Sequence, residues 1–383
     1  MHWSLRVALI GAIAWVVLRT LYRIASPFWS RQPVFHPYRL DLWFRRGVMC
    51  NQLPTPDRYV DRTAIRWLPV SGMDAKRKSE LSSFISKHFL RSPQAVYSPD
   101  WKHIAMGMEG SHRACVFCAG VHRYGGIVSA ISARPLTLRL PGLSPFDLYY
   151  IDNLCVHTGH RKTGLAPKTI RTLYQYIREE VKEVRVYLFK REGAGMGIMP
   201  LTVMEVTVYQ VGALRSLAAR WASDSLYTPK TRNGFRDIWS TALELADESR
   251  VLIHMPIAAA IRALEDGTLY AYGAKSENGD IVGVAVFREP ACTYEGDRSV
   301  ELAAVVHTLP KAQAARFMAR ACLQAAADTS AKLVVVDGCG RAGDLQTGLR
   351  AQGRQPVFSS KTSLFLYNYA ERPYSPVDCT LLF

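Results

Sequence analysis

The sequence predicts an α/β protein with mixed sheets of α+β character, built as two related halves behind an N-terminal hydrophobic helix. Three observations carry this expectation. The order strand, strand, helix, strand is readable twice along the chain. A length of 383 residues exceeds one ordinary domain and suits two compact units sharing an interface. An uninterrupted apolar run, VALIGAIAWVVL at 7–18, stands at the start.

Taken in order, the apolar run with Trp3, Leu5, Leu21 and Tyr22 reaches about the length that spans a bilayer, with Arg6 and Arg19 snorkelling. A signal peptide and an interfacial helix are its rivals. Arg19, Arg23 and Arg31 follow the run and only Arg6 precedes it, so the positive-inside bias puts the globular part on the cytoplasmic face of a membrane. A Pro- and aromatic-bearing connector covers 26–56. An amphipathic helix is expected over 74–90, with Leu81, Phe84, Ile85 and Phe89 on one face, and a second near 99–108. Strands follow at 114–121 and 126–133, joined by a turn at Tyr124 to Gly126. A strand over 147–157 runs into a helix over 165–181, then come a strand at 184–189 and a glycine-rich loop at 193–197. The second unit opens with helices near 235–246 and 256–264, followed by strands at 269–274, 281–287 and 300–307. A long helix over 311–328 and strands at 332–337 and 362–369 complete it. The expected division is 1–25, 26–232 and 233–383.

The formal charge of +16 favours anionic partners, but the basic residues are scattered, which argues against specific nucleic-acid recognition. Eight cysteines include one Cys-x-x-Cys, Cys115 with Cys118, in a strand-like stretch. With no second pair or histidines to complete it, no metal site is expected, and the thiols read as reduced.

The segment that carries chemistry runs Tyr150-Ile-Asp-Asn-Leu-Cys-Val-His157, then Thr-Gly-His-Arg161-Lys-Thr-Gly164-Leu-Ala166-Pro167. A strand ends, a small polar loop follows, and an amphipathic helix begins. Small residues let the backbone approach a ligand, and free N–H groups at the helix start face an anion. Arg161, Lys162 and Lys168 add positive charge. Physically this is a pyrophosphate cradle.

The form Arg-x-x-Gly-x-Ala after a strand resembles the CoA-binding loop of GNAT-type acyltransferases. The longer string IDNLCVH followed by RKTGLAP is similar to the signature of the N-myristoyltransferases. Four further segments agree in order with that family: Phe28-Trp29-x-x-Gln32-Pro33-Val34, Tyr97-Ser-Pro-Asp100, Gly126-Ile-Val-Ser-Ala-Ile131 and Phe365-Leu-Tyr-Asn368-Tyr.

The resemblance implies a pseudo-twofold pair of GNAT-like halves. The first would bind the acyl-CoA and the second would supply much of the peptide site. It implies transfer of myristate from myristoyl-CoA, with no permanently bound cofactor, to the N-terminal glycine of a peptide or nascent chain by a monomeric enzyme; the alternatives are a related acyl-CoA acyltransferase with another acceptor and a non-catalytic acyl-CoA-binding protein. The backbone N–H groups of Asn153 and Leu154 would form the oxyanion hole. Phe28, Trp29, Leu154, Cys155, Val156, Arg161, Lys162, Thr163, Gly164, Leu165, Ala166 and Pro167 would hold the cofactor. The terminal carboxylate of Phe383 would be the base, and Tyr187, Tyr209 and Asn368 would approach the substrate. The apolar tail Leu381-Leu-Phe383 favours inward packing, which raises the pKa of a carboxylate carried with it. His157 and His160 read as structural, and Asp337 as a strand-end turn. Departures from the family include Asp152, Leu188 and Val208-Tyr209-Gln210, and 90–95 lack the carboxylates that would select a basic peptide.

Overall fold

The structure is a computed structural model that describes residues 2–89, 95–108, 116–121, 125–193, 197–219 and 226–383. The Tyr124 turn, Cys115, the side chain of Cys118, positions 90–94 and the middle of the glycine-rich loop lie outside these.

A mixed sheet runs through both halves. Its main strands are β1 (Ile65–Pro69), β2 (Val116–Val121), β3 (Ile127–Arg139), β4 (Phe146–Val156), β5 (Tyr187–Glu192), β6 (Thr202–Gln210), β7 (Val251–His254), β8 (Leu269–Lys275), β9 (Ile281–Arg288), β10 (Asp297–His307), β11 (Leu333–Asp337), β12 (Phe358–Tyr367) and β13 (Cys379–Leu382). Helices are α1 (His2–Ala25), α2 (Ala75–His88), α3 (Leu165–Glu180), α4 (Arg232–Leu245), α5 (Ile257–Glu265), α6 (Lys311–Thr329) and α7 (Ala342–Ala351).

The internal repeat is visible in the pairing. In the first half β3 and β4 are antiparallel, α3 follows, and β5 returns parallel to β4. In the second, β9 and β10 are antiparallel, α6 follows, and β11 returns parallel to β10. The halves exchange their next strands: β12 lies on β5, β6 lies on β11, and β6 and β12 pair with each other at the centre. One apolar cluster, with Leu136, Tyr150, Leu188, Val208, Val284, Leu364 and Phe383, therefore draws on both.

Strand β3 runs six residues beyond the expected end at 133, through Pro135. Proline lacks the ladder donor and is tolerated where a strand has no neighbour on one side. Pro135 occupies such a gap: β2 pairs with β3 up to Ala133, and β7 takes over only at Thr137.

The stretch Leu5–Ala25 of α1 is 21 residues long and apolar enough to cross a membrane. Its first turns stand clear of the globular part, with Trp3 80% and Ile10 66% exposed. Its last turns do not: Trp15 Nε1 donates to the Tyr38 carbonyl at 2.7 Å, and Tyr22 packs on His36 and Tyr38.

Candidate active site

The site grows from one irregularity in β4. Between its pairs with Ala130 and Ser132 on β3 the register shifts, leaving Asn153 and Leu154 opposite a single residue. Such a bulge re-aims the backbone. Asn153 takes a left-handed φ of +53°, which Asn tolerates better than most residues, and its Nδ2 donates to Ser132 Oγ at 2.9 Å. Its backbone N–H donates to Asp152 Oδ1 at 2.8 Å. The Asp that departs from the family pattern thus occupies one of the two proposed oxyanion donors.

At the same point β4 and β5 part. They pair from Tyr149–Tyr187 to Ile151–Phe189 and no further. Beyond that point the two strands make no ladder with each other, and Trp29 stacks on Phe189 at 5.6 Å. Phe28 is buried edge-on against Trp29 and Tyr59. Cys155 sits under the bulge, and burial pushes its thiol up to about 12, so it is no nucleophile at neutral pH.

After Val156 the chain turns through a short 3₁₀ segment. His157 Nδ1 accepts from the Gly159 N–H at 3.1 Å, a structural role. The cradle follows. Lys162 (φ +65°) and Gly164 (φ +82°) are left-handed, and Thr163 Oγ1 donates to the His160 carbonyl at 2.7 Å. Gly164 caps α3 without a side-chain bond, so the N–H groups of Leu165 and Ala166 lack a capping acceptor, while Pro167 has none to offer. Lys162 and Thr163 are exposed around this end. Arg161 is also exposed, but its Nη2 donates to the His88 carbonyl at 2.6 Å, tying the loop to α2. Lys168, expected to add charge here, is instead bonded to Asp61 at 3.0 Å.

Phe383 lies on the opposite side of Tyr150. Strand β13 pairs in parallel with β7, and the Phe383 ring is buried 5.0 Å from that of Tyr150. Its terminal oxygen accepts from Arg288 Nη1 at 3.1 Å. Arg288 also forks onto both oxygens of Glu301, at 2.7 and 2.5 Å. Lys190 Nζ donates to Asp337 Oδ2 at 3.0 Å and lies 3.9 Å from Glu301. Burial alone raises Glu301, but Arg288 holds it at about 2. Burial raises Asp337, against the pull of Lys190.

This buried cluster was missed in the sequence, and Asp337 in particular is an ion-pair member rather than a strand-end turn. The available signal was weak: Arg288 is the one charge of its strand, and Glu301 stands inside the apolar run that closes β10, but Lys190 is followed directly by Arg191 and Glu192.

Three expected substrate residues sit elsewhere. Tyr187 points to the α3 side of the sheet, among Tyr149, Tyr174 and Tyr367, while its neighbour Leu188 shares the apolar cluster of Phe383. Tyr209 is fully buried in the core under α6 and α7. Asn368 is a clasp: its side chain bonds Cys50 N and O and the Arg185 carbonyl, at 2.8–2.9 Å. Among the described residues no His, Cys, Asp or Glu group could hold a metal ion.

No family model matches the sequence, and no curated protein matches it. Solved structures do. Crystal structures of Saccharomyces cerevisiae N-myristoyltransferase with bound myristoyl-CoA align at TM-scores of 0.73 and 0.71, each at 12% identity. The alignment at 0.73 covers 95% of both chains. A further structure of that enzyme, with myristoyl-CoA and inhibitors, aligns at 0.71 with 13% identity over 94% of both chains. At these identities the likeness speaks for architecture: the chain has the fold of the N-myristoyltransferase structures.

Proposed function

We propose that this protein is an acyltransferase that moves a myristoyl group from myristoyl-CoA to the N-terminal glycine amine of a peptide or nascent chain. The observation that carries the reading is the junction of β4 and α3. There the point where β4 and β5 part, a bulged backbone and a helix start without a side-chain cap follow one another along the chain. The CoA pyrophosphate binds at the N–H groups of Leu165 and Ala166, with Lys162 and Arg161 beside it. The amide-bearing pantetheine arm follows the open strand edges between β4 and β5, under Trp29. The thioester carbonyl then meets the N–H groups of Asn153 and Leu154, Asp152 releasing the first of them.

The acceptor comes from the Phe383 side. The terminal carboxylate takes a proton from the glycine ammonium, and the free amine attacks the thioester carbon. The oxyanion is held by the backbone donors. Its collapse forms the amide, breaks the carbon–sulfur bond and releases CoA as the thiol, the nitrogen losing its second proton. The fork of Arg288 between Glu301 and Phe383 fixes the carboxylate's place. Tyr187, Tyr209 and Asn368 support the framework in this account. The enzyme works as a monomer, anchored by α1 with its globular part on the cytoplasmic face of a membrane.

The test is release of CoA thiol from myristoyl-CoA on adding a Gly-initiated peptide. Extending the chain by two residues beyond Phe383 should abolish release and leave myristoyl-CoA affinity within twofold. Turnover that survives the extension assigns the base elsewhere.

A further inference from the structure

We propose that a cavity of about 560 Å³ beside the C-terminal end of α1 binds the phosphate-bearing headgroup of an anionic membrane lipid. Its wall carries five arginines, Arg19, Arg23, Arg31, Arg39 and Arg171, and no carboxylate. Two are matched nearby, Arg39 by Asp41 at 2.5 Å and Arg171 by Asp57 at 3.1 Å. Among the described residues no carboxylate pairs with Arg19, Arg23 or Arg31, although Arg19 also packs over the Trp15 ring. Three like charges around one concave space repel each other, and a bound anion offsets that repulsion.

Position selects a lipid over a soluble anion. The ten residues Leu5–Ala14 that precede the Trp15 contact rise ~15 Å along the axis, about half of a hydrocarbon core of ~30 Å, so the turns beyond Trp15 lie toward the membrane surface. Arg19 and Arg23 fall in the last two turns of α1, the depth at which arginines reach out to headgroups. The bond from Trp15 to Tyr38 and the packing of Tyr22 hold this end of the helix against the cavity wall.

The cavity is also separate from the CoA cradle. None of residues 161–167 lines it. The contributions of α3 are Arg171 and Tyr174, roughly 10 and 15 Å along the helix from Gly164 at 1.5 Å per residue.

The inference rests on reading α1 as a membrane helix, so the two are tested apart. The full chain in neutral detergent is titrated with dioctanoyl phosphatidylglycerol, dioctanoyl phosphatidylcholine and inorganic phosphate, beside the R23Q/R31Q variant. Both arginines are exposed, so the variant keeps its core. The wild type should prefer phosphatidylglycerol to the other two ligands by tenfold or more. The variant should lose about 25-fold of that affinity, at roughly fivefold per arginine, with myristoyl-CoA affinity unchanged. Equal binding of both lipids, or an unaffected variant, overturns the site. Phosphate binding as tightly as phosphatidylglycerol overturns the lipid in favour of a soluble anion. Loss of myristoyl-CoA affinity in the variant reassigns the cavity to the cofactor. Flotation with phosphatidylcholine vesicles scores the helix alone: a wild type that fails to float removes the membrane reading and leaves the titration to stand by itself.

Discussion

Replacing Arg288 by Met should be among the most damaging single changes in this protein. The guanidinium saturates both oxygens of Glu301 and reaches the terminal oxygen of Phe383. Without it, Glu301, only 6% exposed, keeps Lys190 at 3.9 Å as its nearest cation. Against the upward push of burial, the guanidinium holds the Glu301 carboxyl well below its ordinary 4.5. Breaking a buried pair by removing one partner costs about 3–5 kcal/mol, which sets the scale of the loss. Urea unfolding of the full chain, followed by tryptophan fluorescence, reads the loss. The pH dependence supplies a sign. A depressed carboxylate stabilises fully above its unfolded pKa and loses that contribution as pH falls through the folded one. The gap between wild type and R288M should therefore be full at pH 7 and close between 4.5 and about 2. The R288M/E301Q double variant should recover at least half of the loss. A single-variant loss under about 1 kcal/mol, or a gap that persists at pH 2, would refute the assignment.

Other outcomes follow from the same geometry. Asn368→Ala removes three bonds of a buried clasp and should cost about 2–3 kcal/mol in unfolding, with KM for peptide and myristoyl-CoA unchanged; a raised peptide KM would return Asn368 to the substrate site. Gly164→Ala forces a side chain into a left-handed position at φ +82° and should weaken myristoyl-CoA binding about tenfold in isothermal titration, while equal affinity would place the phosphates elsewhere. Asp152→Ala frees the Asn153 N–H and should raise kcat by about a hundredfold, the low side of what one oxyanion donor contributes; an unchanged kcat excludes that N–H from catalysis.

The junction of β4 and α3 was legible because it is local. A strand end, a glycine in a required left-handed position and an amphipathic helix lie within twenty residues of sequence, and the expected helix over 165–181 matches α3 to one residue. The internal repeat was legible for the same reason, each half being a hairpin, a helix and a strand. The buried charge cluster was not. Lys190 and Asp337 lie 147 residues apart, and although Arg288 and Glu301 face each other across neighbouring strands β9 and β10, only the long-range pairing brings the two pairs together. The resemblance pointed to Tyr187 and Tyr209 by their strands, but a strand residue faces a given side only on alternate positions, and these two face the α3 side and the α6 and α7 side. Strands β7 and β13 went unread because each is four residues long and held by distant partners, β7 between β3 and β13 and β13 by β7 alone among the described residues.

The central claim is transfer to an N-terminal glycine, and one experiment addresses it. The full chain is incubated with myristoyl-CoA and two peptides of the same sequence, one beginning with a free glycine and one N-acetylated, and both are weighed by intact-mass spectrometry. The account predicts a gain of one myristoyl group on the free-amine peptide alone. A gain on both peptides, or on neither, would contradict it.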